Sequence, residues 1–265
     1  MKQAILTIFT RTPLHVGAGS SVGAIDQPII RERHTRFPVI PGSSVKGVLR
    51  DDAKTSECLR DVFGEQDFAG GISFGEARLL AFPVRSAKGA FAFAVSPLTL
   101  QRFARDTGFK LAIPGNIPDM TCLPGSDLVI DGKSVVLEEY CFTKTDEFPK
   151  EWASTLSELL TDAVLRGAKE RFVLISDSDL SYFAQNACQV SQHVRIDDET
   201  GTADDGGLFN EETVPSESLF YAPLGVVRDN PAVSAFLESY KTESLIQFGG
   251  KGTTGLGYCT AKIIG

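Results

Sequence analysis

Several strand-like segments of this chain follow one another with no helix between them, and this feature limits the possible folds most strongly. Residues 72–84 and 91–95 are rich in β-branched and aromatic side chains, and only a short glycine-containing stretch separates them. Residues 245–265 read as a strand, a glycine loop and a final strand. Parallel neighbours would need a long crossover, whereas adjoining strands can pair directly. The pattern predicts an α+β protein with an antiparallel sheet rather than a doubly wound parallel one.

Helical segments are interspersed among these strands. The clearest follows the PGSS sequence at residues 41–44, where Val45, Val48 and Leu49 share one face. Residues 110–131 are rich in proline and glycine and are typical of an insertion rather than core. Because no linker divides the chain, we expect residues 1–265 to form one body. The sequence further predicts helices over residues 97–107, 152–166 and 231–242, and strands over residues 3–10, 134–142, 172–177, 190–196 and 219–227.

Composition excludes several classes of protein. The chain has 265 residues, of which 42% are hydrophobic and 23% are charged, as in globular proteins that bury a substantial core. No stretch reaches the ~18 apolar residues that a membrane span needs, and the N-terminus lacks the features of a signal peptide. The five cysteines are scattered without a CxxC pair, which argues against a disulfide framework or a zinc site. We therefore expect a cytoplasmic protein that does not bind membranes.

Charge is distributed unevenly along the chain. The net charge is −8, which excludes a simple polybasic coat for nucleic acid but permits a local basic face. Residues 1–60 contain nine Lys or Arg against five acids, whereas residues 197–217 contain eight acids and no base. The sequence therefore predicts a basic beginning and an acidic excursion near residue 205.

A glycine-containing loop follows the first strand. Gly17, Gly19 and Gly23 would expose backbone N–H groups in a geometry that suits anions. The spacing also fits a dinucleotide-binding loop, but Pro28 and the β-branched residues after it exclude the helix that such a loop requires. A flexible surface loop without a ligand is the alternative interpretation.

Charged residues concentrate in and after this loop. Arg31, Arg33 and Arg36 alternate around an extended segment, so that at least two could share one face. Guanidinium groups bind phosphate in a bidentate manner and stack on bases. His15 and Asp26 lie in the same loop. The segment is therefore a candidate phosphate site that also carries titratable groups.

A second candidate phosphate site lies at the start of the helix after residue 41. Ser43 and Ser44 place hydroxyl and free N–H groups at the positive end of this helix, and Lys46 falls in its first turn. Arg50 follows one turn later. An ordinary helix cap with a solvated lysine is the alternative.

The third glycine-rich segment spans residues 247–258 near the end of the chain. Gly250, Lys251 and Gly252 occur in it between two predicted strands. Too few residues follow for a dinucleotide-binding helix, and the spacing does not fit a Walker loop. The segment is therefore predicted to be a glycine-rich β-hairpin with a lysine at its tip. The glycines either let another backbone approach closely or simply form a tight turn.

Four stretches of the sequence together resemble the RAMP superfamily of CRISPR proteins. The resemblance is greatest to the backbone subunits of type III-B (Cmr) RNA-targeting complexes. It covers most of the chain and is weakest over residues 110–131. The stretches are LHVGAGSSVGAIDQPIIRE, FPVIPGSSVKGVLRD, GGISFGEARLLAFPVRS and FGGKGTTGLGY.

This resemblance implies a fold and a set of partners. It implies a single RAMP domain with a ferredoxin-like (RRM-like) palm, with residues 197–218 as a thumb-like β-hairpin. Copies would stack along a CRISPR guide RNA beside other subunits, and guide pairing rather than the protein would select the target RNA. The candidate RNA-binding residues are then Arg31, Arg33, Ser43, Ser44, Lys46, Arg50, Gly250, Lys251 and Gly252.

The resemblance also implies an endoribonuclease activity centred on Asp26. The carboxylate could hold Mg²⁺ or another divalent metal, or act as a general base on the 2′-hydroxyl of the target. His15 is a candidate general acid, with a structural role as the alternative. Glu212, Glu217 and Tyr221 are possible helpers, although solvated charges and a packed tyrosine are the simpler interpretation. Two other hypotheses are a non-catalytic RNA-binding scaffold and a guide-processing nuclease with a histidine-centred site.

Overall fold

The computed structural model describes residues 2–19, 24–53, 59–197 and 200–265. Gly23, which the sequence predicts to be part of an anion-binding loop, lies outside these ranges. The helices are α1 (Gly42–Asp52), α2 (Leu59–Phe63), α3 (Pro97–Thr107), α4 (Lys150–Ser157), α5 (Ala163–Arg166), α6 (Asp177–Asn186) and α7 (Pro231–Ser239). The strands are β1 (Lys2–Thr10), β2 (Val39–Ile40), β3 (Gly64–Glu65), β4 (Phe68–Ala69), β5 (Ile72–Phe74), β6 (Ala77–Arg85), β7 (Phe91–Val95), β8 (Thr121–Pro124), β9 (Ser134–Leu137), β10 (Tyr140–Lys144), β11 (Phe172–Leu174), β12 (Gln189–Ile196), β13 (Ala203–Thr213), β14 (Leu219–Val226), β15 (Ser244–Gln247) and β16 (Tyr258–Ile264).

Twelve strands form one sheet. Its order is β15-β16-β1-β14-β6-β7-β11-β8-β10-β9, with β2 paired to β6 and β5 paired to β14. The pairs from β15 to β7 are antiparallel, and the parallel pairs are β7 with β11 and β8 with β10. The predicted α+β class with a mainly antiparallel sheet is therefore confirmed.

Helices cover both faces of this sheet because its central strands are apolar on both sides. In β1, Leu6 and Ile8 point into a core that includes α1, α6 and α7, whereas Ile5 and Phe9 point into one that includes α3 and α4. The alternation follows from the period of two in a strand. Trp152 is fully buried in the second core. In the described ranges, no helix is long and apolar enough to cross a membrane.

Residues 110–131 contribute to the core, and the prediction that they form an insertion rather than core is wrong at their C-terminal half. Strand β8 pairs with β11 and β10 inside the large sheet, and Cys122 and Leu128 are fully buried. The prolines and glycines suggested a loop, but TCLP has enough apolar character to form a short central strand. Tertiary pairing therefore overrode local turn propensity.

Three predicted elements are divided in the structure. The strand predicted over residues 134–142 is an antiparallel pair, β9 and β10. The strand predicted over residues 72–84 is interrupted at Gly75, where the chain passes so close to Pro223 that a Cβ atom would lie 2.7 Å from its ring. The helix predicted over residues 152–166 ends at Ser157, and α5 starts again behind Asp162. That carboxylate caps the backbone N–H groups of Val164 and Leu165.

The hairpin formed by β12 and β13 lies outside the large sheet. Its strands pair only with each other over most of their length, from Gln189 opposite Thr213 to Ile196 opposite Ala203. The hairpin thus spans residues 189–213, whereas the sequence predicted it over residues 197–218. The boundary was wrong because the predicted strand 190–196 is itself the first arm of the hairpin.

Candidate functional site

The loop after β1 folds back on itself and then joins β13 at the base of the hairpin. Leu14 exchanges backbone hydrogen bonds with Val214, and Gly17 bridges to Ile29. Gln27 then pairs in parallel with Glu211: its N–H donates to the Asn210 carbonyl, and its own carbonyl accepts from the Glu212 N–H, both at 3.0 Å. This pairing fixes the segment around residue 26 against the hairpin.

Asp26 is exposed at this junction. Its Oδ2 atom accepts a hydrogen bond of 2.8 Å from the backbone N–H of Asn210 on β13. The side chain therefore reaches solvent while one of its oxygens is held by the hairpin. A carboxylate in this position can accept a proton or a hydrogen bond from a bound molecule.

The Arg31 side chain is buried in an internal ion pair, which contradicts its predicted role in phosphate binding. Its guanidinium donates to the Glu212 carboxylate and to the carbonyls of Ala184 at 2.6 Å and Arg36 at 2.9 Å. The two charged side chains are 7% and 6% exposed. Glu212 also accepts a hydrogen bond of 3.0 Å from the Ile29 N–H. A buried carboxylate requires such partners. The Arg31 guanidinium is therefore engaged inside the protein and is not free to bind phosphate.

Glu211 lies on the opposite face of β13 and gathers three basic side chains. Its carboxylate oxygens are 2.9 Å from Lys251 Nζ, 3.2 Å from His193 Nε2 and 3.5 Å from His15 Nδ1. The Oε1 atom has no aligned hydrogen bond among the described residues, so charge attraction holds it. Glu211 and Glu212 are thus both buried, rather than solvated as neighbouring acids usually are.

His15 is a structural residue in this arrangement rather than an accessible acid. It is 7% exposed, and its Nδ1 atom lies 2.8 Å from the Glu212 carbonyl oxygen. Its Nε2 atom faces Gly17, where a Cβ atom would lie only 3.0 Å away. The backbone carbonyl of His15 accepts from the Gly250 N–H. The predicted catalytic role of His15 is therefore contradicted by its burial.

The glycine-rich loop between β15 and β16 packs against the same junction. Lys251 adopts a left-handed conformation with φ 64°, and its Nζ atom donates to Gln27 Oε1 at 2.5 Å besides pairing with Glu211. The Gln247 amide holds this loop together, because it donates to the Phe248 carbonyl at the start of the loop and to the Leu256 carbonyl near its end. Gly252 lies close to the Gln247 side chain. The predicted RNA-binding roles of Gly250 and Lys251 are weakened, since the Gly250 N–H and the lysine ammonium already have internal partners.

The remaining predicted cations face solvent. Arg33 is exposed in the turn over residues 33–35, without an ion pair or hydrogen bond in the part of the chain that is described. On α1, Lys46 and Arg50 lie one turn apart and line a cleft of about 480 Å³ beside the β3–β4 turn. Arg50 makes one long hydrogen bond of 3.4 Å to the Gly64 carbonyl. These side chains are available to an anionic ligand.

The serines at the start of α1 do not cap the helix. The residue in the cap position is Pro41, and no side chain there accepts a hydrogen bond from the first turn. Ser43 is exposed and Ser44 is half-buried, one and two residues inside the helix. The hydroxyl groups thus stand beside the free backbone donors of the first turn, as the phosphate hypothesis requires.

The described residues contain no group of three or more His, Cys, Asp or Glu side chains that could hold a metal ion. Asp26 alone offers one carboxylate, whereas Mg²⁺ prefers six oxygen ligands. The residues present therefore do not form a resident metal site by themselves. Any divalent cation here would need most of its ligands from water or from a bound phosphate.

Glu217 lies in the turn between β13 and β14, and no Lys, Arg or His of the described residues lies within 4.0 Å of its carboxylate. Burial raises the pKa of this carboxyl to about 7, and the like charge of Asp162 contributes, against smaller opposite effects of Arg171 and Arg11. It has a positive φ of 68°, and its N–H donates to the Thr10 carbonyl. Tyr221 is fully buried, and its hydroxyl donates to Asp106 at 2.9 Å.

The sequence did not reveal that β13 is the strand against which the site residues are assembled. The sequence did contain one signal. The side chains of two consecutive residues in a strand point to opposite faces, so Glu211 and Glu212 can both be solvated only if both faces of the strand are exposed. Phe209 was also missed; its ring stacks on His193 and lies 5.1 Å from Lys251 Nζ. No local pattern identified Asn210, since it acts through its backbone N–H.

Comparison with known proteins identifies the family. The model of the RAMP superfamily matches residues 7–260. The CRISPR system Cmr endoribonuclease Cmr4 of Pyrococcus furiosus is 36% identical over 282 aligned positions, which cover 97% of this chain and 94% of that protein.

Solved structures agree with this assignment. The crystal structure of oligomeric Cmr4 from Pyrococcus furiosus superposes with a TM-score of 0.80 at 29% identity, covering 99% of this chain and 98% of that one. A cryo-EM structure of the type III-B Cmr-beta bound to cognate target RNA contains a chain with a TM-score of 0.79 at 20% identity, covering 99% and 97%, which demonstrates a shared fold. This chain belongs to the RAMP superfamily and is similar to Cmr4 over nearly its whole length.

Proposed function

We propose that this chain is the repeated backbone subunit of a type III-B CRISPR effector and that it cleaves guide-paired target RNA with Asp26. The observation that carries the proposal is the position of Asp26, exposed at the base of the projecting hairpin and hydrogen-bonded to Asn210 on that hairpin. The similarity to an endoribonuclease over 97% of the chain supports the reaction type. The oligomeric relative supports stacking of copies.

The chemistry assigned to Asp26 is proton removal from a target ribose. An ionised carboxylate is an acceptor, and one of its oxygens is already oriented by the Asn210 N–H. The other acceptor sites can take the proton of a 2′-hydroxyl, whose oxygen would then attack the adjacent phosphorus. The bond from phosphorus to the 5′-oxygen of the next nucleotide breaks, leaving a 2′,3′-cyclic phosphate, and the departing 5′-oxygen takes a proton from water. The hairpin would bend the RNA backbone beside this carboxylate and so align the attacking oxygen, a proximity effect.

Dependence on Mg²⁺ remains a prediction from the family resemblance. Asp26 by itself supplies one ligand, and a Mg²⁺ ion here would take the others from water and the target phosphate, so the chemistry assigned above is that of Asp26 alone. Cleavage measured with and without a chelator, at constant ionic strength, tests the prediction. Location in the cytoplasm likewise stays a prediction.

Binding of the guide RNA is assigned to the solvent-facing cations. Lys46 and Arg50 on α1, with Ser43 and Ser44 at its first turn and Arg33 in the preceding loop, supply charge and free donors without a base-reading pattern. Contacts of this kind grip phosphate and fix register, while sequence is read by base pairing. Neighbouring copies and other subunits of the effector would complete the groove.

The palm is assigned to the ferredoxin-like class. Support comes from the order β16-β1-β14-β6, in which all neighbours are antiparallel. Helix α1 lies between β1 and β6 in the chain, and α7 lies between β14 and β16. If β1, β6, β14 and β16 are numbered one to four, this order is 4-1-3-2. Helices α1 and α2 lie in the first crossover and α7 lies in the second, as in a βαββαβ unit with one short additional helix.

The deciding experiment uses a reconstituted effector and guide-matched RNA. Asp26→Asn keeps the size of the side chain and removes its charge, so we expect target cleavage to be lost while assembly and target affinity stay unchanged. Asp119→Asn, an exposed aspartate before β8, is the matched control and should cleave normally. Cleavage by Asp26→Asn at the native sites and rate would leave only the RNA-binding scaffold.

A further inference from the structure

The segment that carries Asp26 depends on β13 for its position. Residues 24–31 contain no helix or multi-residue strand, and Gln27 joins them to β13 through two backbone hydrogen bonds. The Asp26 carboxylate itself is bonded to Asn210 of the same strand. The placement of this carboxylate therefore follows from how firmly the segment is fixed to β13.

Glu212 provides the side-chain attachment for this segment. One carboxylate oxygen, Oε2, accepts from the Ile29 N–H at 3.0 Å, and the other, Oε1, accepts from the Arg31 guanidinium. These two anchor points lie three and five residues after Asp26. The Arg31 guanidinium also donates a hydrogen bond of 2.6 Å to the Ala184 carbonyl, which attaches the segment to α6 as well.

The geometry points to Glu212 as a positioning residue for the cleavage reaction; this inference rests on the proposed function of Asp26. Glu212 is 4% exposed, so its carboxylate is not in a position to contact a bound RNA directly. It acts through Ile29 and Arg31 by holding the backbone that delivers Asp26. A displacement of about 1 Å at a reacting group can reduce a rate by about 100-fold.

The chain offers a matched control in the same loop. Glu32 is also a buried glutamate paired with an arginine: its carboxylate accepts from Arg102 at 2.9 Å and 3.0 Å, and from the Thr35 hydroxyl. It attaches residues 32–35 to α3 instead of β13. Substitution of Glu32 thus removes the same kind of ion pair without loosening the attachment of Asp26 to the hairpin.

The test measures single-turnover cleavage of guide-matched RNA by the reconstituted effector, with Glu212→Gln and Glu32→Gln compared to the native chain. The rate constant and the amplitude are recorded separately. A role in positioning lowers the rate constant, whereas a purely structural role lowers the fraction of active complex. We expect Glu212→Gln to slow cleavage by about 10- to 100-fold at full amplitude and unchanged target affinity. Glu32→Gln should stay within about threefold of the native rate.

Three outcomes overturn the inference: a native rate constant for Glu212→Gln, a loss confined to its amplitude, or an equal slowing by Glu32→Gln. If Glu212→Gln does not assemble, Arg31→Lys takes its place, because it keeps the charge and loses the fork that reaches the Ala184 and Arg36 carbonyls. It should slow cleavage at full amplitude, and a native rate constant would refute the inference. Activity of Asp26→Asn would refute the proposed function instead, so the two failures are distinguishable.

Discussion

The hairpin base and helix α1 both carry basic residues that the sequence marks as phosphate ligands, but their surroundings differ. At the hairpin base, Arg31 and Lys251 are engaged by the buried carboxylates of Glu212 and Glu211. On α1, Lys46 and Arg50 line an open cleft at the surface. The comparison teaches that a basic side chain is available to RNA only where no buried acid requires it, because an uncompensated buried carboxylate is costly.

The strongest way to break this comparison is to remove an internal cation. Arg31→Met leaves the buried Glu212 carboxylate with the Ile29 N–H as its one remaining hydrogen-bond donor among the described residues, so we expect a loss of about 3–5 kcal/mol in the free energy of unfolding. Urea denaturation measures it. Arg33→Met, which removes an exposed guanidinium two residues away, is the control and should change stability by less than about 0.5 kcal/mol. Equal effects of the two substitutions would refute the distinction.

Lys251→Met tests the second internal cation and should have a smaller effect. Glu211 keeps His193 and His15 within 3.5 Å, and the lysine side chain is 30% exposed. We expect a loss of about 1–3 kcal/mol by urea denaturation. Arg31→Met is the comparison, and an equal loss in the two variants would contradict the smaller effect expected for Lys251.

Glu217 sharpens the comparison as a half-buried acid whose nearest charges do not neutralise it. Its pKa is about 7 in the folded chain and near 4.5 in the unfolded one, so folding retains a proton between these values. Its contribution to stability is present below pH 4.5 and is lost as the pH rises to about 7. After allowance for solvent screening, Glu217→Gln should stabilise the chain by about 1 kcal/mol at pH 8. Thermal unfolding from pH 4 to 8 should show this gain vanish in acid; a constant difference would contradict it.

The exposed cations of α1 should have the smallest effect on stability. Lys46→Ala and Arg50→Ala should each change the free energy of unfolding by less than about 0.5 kcal/mol. Each should nevertheless reduce the slope of log affinity against log salt by about 0.7 if it contacts one phosphate of single-stranded guide RNA. Filter binding of the assembled subunit over a salt series measures the slope. Unaltered slopes in both variants would remove α1 from the RNA-binding surface.

The sequence predicted most of the fold because its signals were local. The helix over residues 97–107 agrees with α3, where Ser96 forms a capping box and Gly108 adopts the left-handed conformation that ends the helix. The sequence did not reveal that β8 joins the central sheet, since four residues contain no periodicity that separates a strand from a loop. The hairpin boundary was missed for a related reason: β12 is exposed along nearly its whole length and lacks the alternation of a half-buried strand.

For the candidate site, the sequence by itself determined which residue types lie near one another along the chain: an acid at Asp26, glycine loops, and a basic first quarter. Only the tertiary structure decided which of them face solvent. Asp26 and Glu212 are both carboxylates, yet one ends exposed and the other buried beside Arg31. The physical reason is that desolvation and ion pairing depend on strands that are distant in sequence, here residues 26–31 and β13, and such pairings leave no local pattern.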